Sequence, residues 1–169
     1  VIRDNNTVIF LEYKAQFNMK GEVPLDPDFT ITLGKADITR EGKDVTVVTY
    51  GRMLERVLKA ADEVKEAEGV SVEVVDLRTL MPLDKDAVLN SVKKTGRVLL
   101  VNDAHKTGGF IGEISAMIAE SDAFDFLDGR ILRLAGEDVP TPYNAKLEAA
   151  MIPSVERIKK YILKLANKR

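Results

Sequence analysis

Apolar residues are most concentrated in the segment Arg97–Val101, which leads into polar residues and a pair of adjacent glycines. A short, uniformly apolar run is typical of a strand that is buried on both faces. Helical spacing follows in three isoleucines, Ile111, Ile114 and Ile118. We therefore predict a strand that turns directly into a helix, which is one unit of an α/β fold. Ligands and partners of such sheets meet the carboxyl ends of the strands, so His105–Gly109 is a candidate functional segment.

Strands and helices are predicted to alternate along most of the chain. Segments rich in Val, Ile and Thr predict four further strands: Ala36–Arg40, Val45–Tyr50, Val72–Leu77 and Ile131–Ala135. Helical spacing predicts one helix that ends at Gly69, one between Asp84 and Gly96, and one that Pro153 opens. Because right-handed crossovers make strands joined through helices parallel, we expect a mostly parallel sheet that is covered on both faces.

The N-terminal residues lack this regular alternation. Thr7–Glu12 has the pattern of a strand with nothing before it to pair with, so we expect residues 1–16 to be the tail of a preceding domain. Residues 17–29 place Gly21, Pro24 and Pro27 among charges without any period, which indicates a linker. The compact domain is therefore expected to occupy residues 30–169.

Composition and charge exclude several classes of function. With 45% apolar residues, the chain can bury one sizeable core. A net charge of -2 is unlike the basic footprint of a nucleic-acid-binding protein, and no apolar run approaches the roughly 20 residues of a membrane span. One His and no Cys exclude a thiolate nucleophile, a disulfide framework and a His-rich metal site. We expect a cytoplasmic protein that binds neither nucleic acid nor membranes.

Three groups near the predicted strand ends have both a structural and a functional interpretation. His105 could serve as an acid or base, although a lone His beside glycines is more often a loop or capping residue. Gly108 and Gly109 could present N–H groups to an anion, or could let a strand and a helix pack closely, and we favour packing. Asp76 and Arg78 could orient a ligand or a neighbouring subunit, or form a structural ion pair.

Four ordered motifs point to a family. They are Gly42–Gly51 (GKDVTVVTYG), Val74–Asp84 (VVDLRTLMPLD), His105–Phe110 (HKTGGF) and Gly136–Tyr143 (GEDVPTPY). Together they resemble the C-terminal, transketolase-C-like domain of the β subunit of thiamine-diphosphate-dependent 2-oxo acid dehydrogenases, of the pyruvate, branched-chain or acetoin type. The resemblance implies a three-layer α/β/α sandwich whose five-stranded sheet has its first strand antiparallel. It also implies that residues 1–16 hold the last strand of a truncated pyrimidine-binding domain.

The resemblance implies chemistry that is performed by a larger assembly. In the family, the thiazolium ylid of thiamine diphosphate, bound with Mg²⁺, decarboxylates a 2-oxo acid or cleaves acetoin, and passes the fragment to a lipoyl arm. The groups that bind this cofactor lie in the preceding domain and in the α subunit. We therefore expect no catalytic and no cofactor-binding residue in this chain, and an isolated domain that is inactive. The implied partners are an α subunit, a second β subunit and the acyltransferase core.

The resemblance also implies two sites in this chain. Asp4 and Asn6, with the carbonyl oxygen of Val1, match a turn that donates oxygens to a structural monovalent cation such as K⁺ in the full-length subunit. The alternative is an ordinary polar turn. Asp128 lies where the β subunit meets the peripheral-subunit-binding domain of the acyltransferase. The alternative for its segment, residues 122–129, is a helix end whose Phe side chains enter the core while its Asp side chains face water.

Two other functions remain open. One is the C-terminal domain of a single-chain enzyme such as a transketolase or a deoxyxylulose-phosphate synthase, which shares the VVDLR and PLD signals. The other is a free-standing module of doubly wound type that binds a small ligand or a protein. The particular residues of the motif HKTGGF and of the segment Asp138–Pro140 favour the β subunit of a 2-oxo acid dehydrogenase over these two alternatives.

Overall fold

The computed structural model describes residues 1–166, and these residues form one five-stranded sheet. Its strands are β1 Asp37–Arg40, β2 Val45–Thr49, β3 Val72–Asp76, β4 Val98–His105 and β5 Leu132–Gly136. Their order in the sheet is β1-β3-β2-β4-β5. Strand β1 pairs antiparallel with β3, whereas the other three pairs are parallel. The predicted mostly parallel sheet with one antiparallel strand is confirmed.

Helices cover both faces of this sheet. They are α1 Met53–Glu68, α2 Lys85–Thr95, α3 Ile111–Ala119, α4 Ala145–Met151 and α5 Val155–Ala166, with short 3₁₀ turns at Lys14–Gln16 and Asp122–Phe126. The side chains of α1 and α5 share one core cluster with the sheet, and those of α2 and α3 share the other. The three-layer α/β/α sandwich expected from the sequence is therefore confirmed.

Strand β2 shows why the sheet needs a layer on each side. All of its residues are buried, and successive side chains point to opposite faces. Val45 and Val47 pack in the cluster of α1 and α5, whereas Val48 packs in the cluster of α2 and α3. The burial of every residue of β2, its two threonines included, therefore follows from a layer of helices on each face.

The ends of the helices follow local chemistry. The Asp84 carboxylate accepts a hydrogen bond from the Ala87 N–H (3.2 Å) and so caps the start of α2, and Gly96 ends α2 in the left-handed conformation. Pro153 does not open the last helix, which begins at Val155. Ser154, which lies directly before this helix, caps it instead: its hydroxyl oxygen accepts a hydrogen bond from the N–H of Arg157 (3.2 Å). Proline has no side-chain oxygen that could accept this bond.

The N-terminal segment is attached to the domain but is not part of the sheet. Thr7–Glu12, predicted as a strand, makes no ladder in the structure because no neighbouring strand lies beside it among residues 1–166. Tyr13 packs on Gly51, where a Cβ atom would approach the tyrosine ring to 2.3 Å. The division into residues 1–16, 17–29 and 30–169 stays a prediction, and residues 167–169 lie outside the described part. No helix in residues 1–166 is both long enough and apolar enough to cross a bilayer.

Candidate functional site

The carboxyl end of β4 holds His105, the first candidate residue. It is the last residue of the strand, and its side chain is exposed. Its Nε2 atom lies 3.0 Å from the carbonyl oxygen of Val139, in the segment that follows β5. The imidazole therefore ties two strand ends together through a backbone group.

Asp138 and Thr107 form a second link between the same two segments. The Asp138 carboxylate accepts hydrogen bonds from the Thr107 N–H (3.0 Å) and from the Thr107 hydroxyl (2.7 Å). The hydrogen bonds from Thr107, with a smaller contribution from the nearby His105, lower the pKa of Asp138 below its ordinary value. The motifs HKTGGF and GEDVPTPY, which are about 30 residues apart in the chain, thus form one exposed loop pair.

The two glycines after His105 have different roles. Gly108 adopts a left-handed backbone with φ +71° and has open space around it. At Gly109, an added Cβ atom would lie 2.3 Å from the carbonyl oxygen of His105. The close approach of strand and helix that we favoured from the sequence is therefore present at Gly109.

Asp76 and Arg78 form a structural ion-pair group at the end of β3. The Arg78 guanidinium lies 2.7 Å from Asp37 on the antiparallel edge strand and 3.9 Å from Asp76. The Arg78 N–H also donates to the Asp76 carboxylate (3.3 Å). Burial raises the pKa of Asp76, and the contacts with Arg78 oppose that rise. This arrangement holds β1 against β3.

The predicted cation site forms a compact polar turn. The Val1 carbonyl oxygen accepts from the Asp4 N–H (3.1 Å), and Asp4 Oδ1 accepts from both the backbone and the side-chain N–H groups of Asn6 (2.8 and 3.0 Å). These hydrogen bonds lower the pKa of Asp4. The Asp4 carboxylate and the Val1 carbonyl are hard oxygen donors of the kind that such a cation needs, and in this structure both accept hydrogen bonds from N–H groups of the turn itself. Cation binding by Val1, Asp4 and Asn6 stays a prediction.

The acidic segment folds as the 3₁₀ turn Asp122–Phe126. The Ser121 hydroxyl oxygen caps it by accepting from the Ala123 N–H (3.2 Å), and Ala123 is buried. Phe124 and Phe126 are 55% and 53% exposed, so the alternative in which these side chains enter the core does not apply. The small Ala123 side chain anchors the short turn and leaves the aromatic rings on the surface.

Asp128 follows this turn and is held by α2. Its N–H donates to the carbonyl oxygen of Gly96 (2.7 Å), and its carboxylate lies 3.4 Å from Arg97. Its side chain is 60% exposed. We call Asp122, Phe124, Asp125, Phe126 and Asp128 the acidic–aromatic surface.

The metal-binding potential of the described part is small. Within residues 1–166, no three His, Cys, Asp or Glu side chains come together in a group that could hold a metal ion.

Comparison with known families assigns the fold. The family model described as the transketolase C-terminal domain matches residues 34–158. The chain belongs to the transketolase C-terminal domain family. Strands β1 to β5 lie inside the match, and so does the acidic–aromatic surface.

Curated relatives of this transketolase C-terminal domain are β subunits of dehydrogenases. The chain is 43% identical over 168 residues to the 2-oxoisovalerate dehydrogenase subunit beta of Bacillus subtilis, covering 98% of the chain and 50% of the relative. It is 45% identical to the pyruvate dehydrogenase E1 component subunit beta of Rhizobium meliloti, covering 93% of the chain and 34% of the relative. It is 41% identical to the acetoin:2,6-dichlorophenolindophenol oxidoreductase subunit beta of B. subtilis, covering 97% and 47%. The chain thus spans half or less of these relatives, and the resemblance drawn from the motifs is confirmed.

Solved structures agree on the fold of the transketolase C-terminal domain. A split-gene transketolase, an inactive β4 tetramer, superposes with a TM-score of 0.70 at 26% identity over 85% of the chain and 45% of that structure. A 2-oxoglutarate:ferredoxin oxidoreductase from Magnetococcus marinus superposes with a TM-score of 0.53 at 15% identity over 83% of the chain and 20% of that structure. The second likeness bears on the fold alone.

Sequence reasoning missed a polar cluster at the carboxyl edge of the transketolase C-terminal domain. Arg52 donates to Asp103 at 2.5 Å, and the fully buried Asn102 donates to the hydroxyl oxygen of Tyr50 at 3.0 Å. Burial raises the pKa of Tyr50. Each pair joins residues about 50 positions apart, so no local spacing could have identified it. The only signal was the polar Asn102 and Asp103 at the end of an apolar strand.

Proposed function

We propose that this chain is the C-terminal assembly and docking domain of the β subunit of the decarboxylating component of a pyruvate-type 2-oxo acid or acetoin dehydrogenase complex. The similarity to such β subunits over nearly the whole chain supports this proposal. The single-chain alternatives are less favoured, because these relatives are separate subunits. The domain supports an α2β2 heterotetramer and connects it to the acyltransferase core.

The acidic–aromatic surface carries the docking part of the proposal. It exposes two large aromatic side chains, Phe124 and Phe126, among three aspartates. Buried aromatic anchors with a charged rim are typical of protein interfaces. Carboxylates steer basic partners, so the occupant is a small basic domain, namely the peripheral-subunit-binding domain of the acyltransferase.

The N-terminal segment supports the proposed role of this domain in subunit assembly. It exposes large apolar side chains that an isolated domain would not normally leave in water: Ile9, Phe10, Leu11, Phe17 and Leu25. Together with residues 80–82 it lines a largely apolar groove of about 760 Å³. An exposed apolar surface of this kind marks an interface. We assign it to the rest of the β subunit, a second β subunit and the α subunit.

The proposed complex uses thiamine diphosphate with Mg²⁺, and a K⁺ ion at Val1, Asp4 and Asn6 in the full-length subunit. The family resemblance assigns the cofactor's ligands to the α subunit and to the rest of the β subunit. The chemistry that the cofactor supplies is decarboxylation of the substrate.

Replacing Asp128 tests the docking proposal. The Asp128→Ala variant is expected to bind the peripheral-subunit-binding domain at least about tenfold more weakly, equivalent to ~1.4 kcal/mol, because docking buries this carboxylate against a Lys or Arg. Its melting temperature should stay nearly unchanged, since the exposed ion pair with Arg97 contributes little to stability. Surface plasmon resonance and thermal unfolding measure the two effects.

Asp125→Ala is the matched control. Asp125 lies on the 3₁₀ turn that precedes Asp128, and its replacement should change mainly the association rate and the salt dependence of docking. Normal docking by Asp128→Ala, or a melting temperature well below that of the parent, would show that Asp128 is a structural cap and would contradict the docking assignment.

A further inference from the structure

A crevice beside Asp128 has the opposite charge to the acidic–aromatic surface. Three cationic side chains line it, Arg97, Arg130 and Lys164, together with Leu132 and the Asp128 carboxylate. We call this set the basic crevice. It lies at the amino ends of β4 and β5, because Arg97 and Arg130 shortly precede those strands. A basic partner that approaches Asp128 therefore meets three positive charges next to one negative charge.

Arg97 is held rigidly with part of its guanidinium unsatisfied. Its carbonyl oxygen accepts from the Thr46 N–H (2.8 Å), which anchors the backbone to β2. Its side chain is only 16% exposed, and its Nε atom is buried without a hydrogen-bond partner among the described residues. A buried donor without a partner is costly, and such exceptions in native structures call for a specific cause.

The other two cations are available to a partner. Arg130 and Lys164 are exposed, and neither forms an ion pair within the part of the chain that the structure describes. The one carboxylate in the basic crevice, Asp128, lies 3.4 Å from Arg97. A carboxylate added at the mouth of this crevice would meet the terminal nitrogens of the Arg97 guanidinium and the two exposed positive charges of Arg130 and Lys164.

We propose that the basic crevice binds a carboxylate of the docking partner while Asp128 binds an adjacent cation of the same partner. This inference rests on the docking function proposed above and names the chemistry of the occupant. The partner presents an Asp or Glu next to its Lys or Arg. A segment that is purely basic is disfavoured, because its charges would face Arg97, Arg130 and Lys164 without compensation.

Reversing the charge of Arg130 and Lys164 tests the proposal, because the proposal and simple charge attraction predict opposite changes in docking affinity. In the Arg130→Glu, Lys164→Glu double variant the whole surface becomes more acidic, so simple attraction to a basic domain would tighten binding. The proposal predicts the reverse, which is docking weakened at least tenfold with an unchanged melting temperature. The control is Lys146→Glu on α4, which follows the carboxyl end of β5 and lies at the other end of the sheet. It should leave the dissociation constant within twofold of the parent.

The probe is the isolated peripheral-subunit-binding domain, with surface plasmon resonance as the measurement. Neutralising its acidic residues one at a time to Asn or Gln should identify one whose loss weakens docking to the parent but not to the double variant. Tighter or unchanged binding by the double variant, with Asp128→Ala still defective, would overturn the basic-crevice proposal and leave docking intact. Normal binding by Asp128→Ala would overturn docking itself, and the basic-crevice proposal with it.

Discussion

Gly109 shows how one missing side chain sets the geometry between β4 and α3. An added Cβ atom would lie 2.3 Å from the backbone oxygen of His105, and a backbone atom cannot move aside as a flexible side chain can. We expect Gly109→Ala to lower the free energy of unfolding by roughly 1 to 3 kcal/mol, the usual cost of overpacking. Urea denaturation measures this change.

Gly112→Ala is the control for that variant. Gly112 lies on the neighbouring helix α3, and its added Cβ atom would approach only the terminal Nη1 atom of Arg133, at 3.3 Å. Because alanine is a better helix former than glycine by up to about 1 kcal/mol, this variant should be neutral or more stable. Equal destabilisation by the two substitutions would contradict the close-approach argument.

The contact between Thr107 and Asp138 predicts a measurable pKa effect. Thr107→Val removes the hydroxyl donor, so the pKa of Asp138 should rise toward its ordinary value, which a carboxyl carbon NMR titration would detect. The lowered pKa means that this contact stabilises the fold above the ordinary carboxyl pKa of about 3.9 and loses its effect as the pH falls through the lower folded-state value. An unchanged titration in Thr107→Val would show that the backbone N–H alone is responsible.

At the scale of elements, Asp84 joins α2 to β1. Its carboxylate accepts from the Ala87 N–H (3.2 Å) and from the Ala36 N–H (3.2 Å), and it is nearly buried. Asp84→Ala should therefore lower the free energy of unfolding by about 1 to 2 kcal/mol, at the upper end of a capping loss. The two N–H groups bind different oxygens of Asp84, so Asp84→Asn keeps the acceptor for Ala87 but places an amide nitrogen against the Ala36 N–H, and it should recover only part of that loss in the same denaturation assay. Equal losses in the two variants would show that the cap on Ala87 contributes little and that the effect comes from the bond to Ala36 or from the charge.

Element prediction succeeded where burial sets the pattern and failed where it does not. The strands and the helices α1, α2, α3 and α5 bury regular apolar faces, so their spacing was visible in the sequence. Helix α4 buries only Met151 and exposes Leu147, so no apolar period marked it. Thr7–Glu12 has the alternation of a strand, but a ladder needs a partner, and no partner is present among residues 1–166.

The candidate site was predictable to a different degree. Asp128 is exposed, as a docking residue must be, and it came from the resemblance rather than from local physics. The sequence left open whether Phe124 and Phe126 enter the core, and the structure decides this, because a five-residue turn leaves no room to bury two aromatic rings beside Ala123. Arg97 and Lys164, which meet in the basic crevice, are 67 positions apart in the chain, so only the fold shows their proximity.

At the scale of the whole molecule, we expect this chain to be one domain of a larger enzyme and to be inactive without the rest of that assembly. Asn102 donates to the Tyr50 hydroxyl, and its own Oδ1 atom is buried without a hydrogen-bond partner among the described residues. The family resemblance places the groups that bind thiamine diphosphate in the preceding domain and in the α subunit. The 169-residue chain is therefore expected to neither bind thiamine diphosphate at micromolar levels nor turn over a 2-oxo acid.

Isothermal titration of the chain with thiamine diphosphate and Mg²⁺ tests this last prediction. The expected result is the heat of dilution alone, because the groups that supply the roughly 8.2 kcal/mol of a 1 μM complex are expected in the preceding domain and in the α subunit. The same titration of a β subunit assembled with its α subunit is the positive control, and it should give a saturable signal. A saturable signal from the chain alone would favour a free-standing ligand-binding module over a β-subunit domain. It would also direct attention to the groove beside Tyr13 and Tyr50, which is large enough for a ligand of that size.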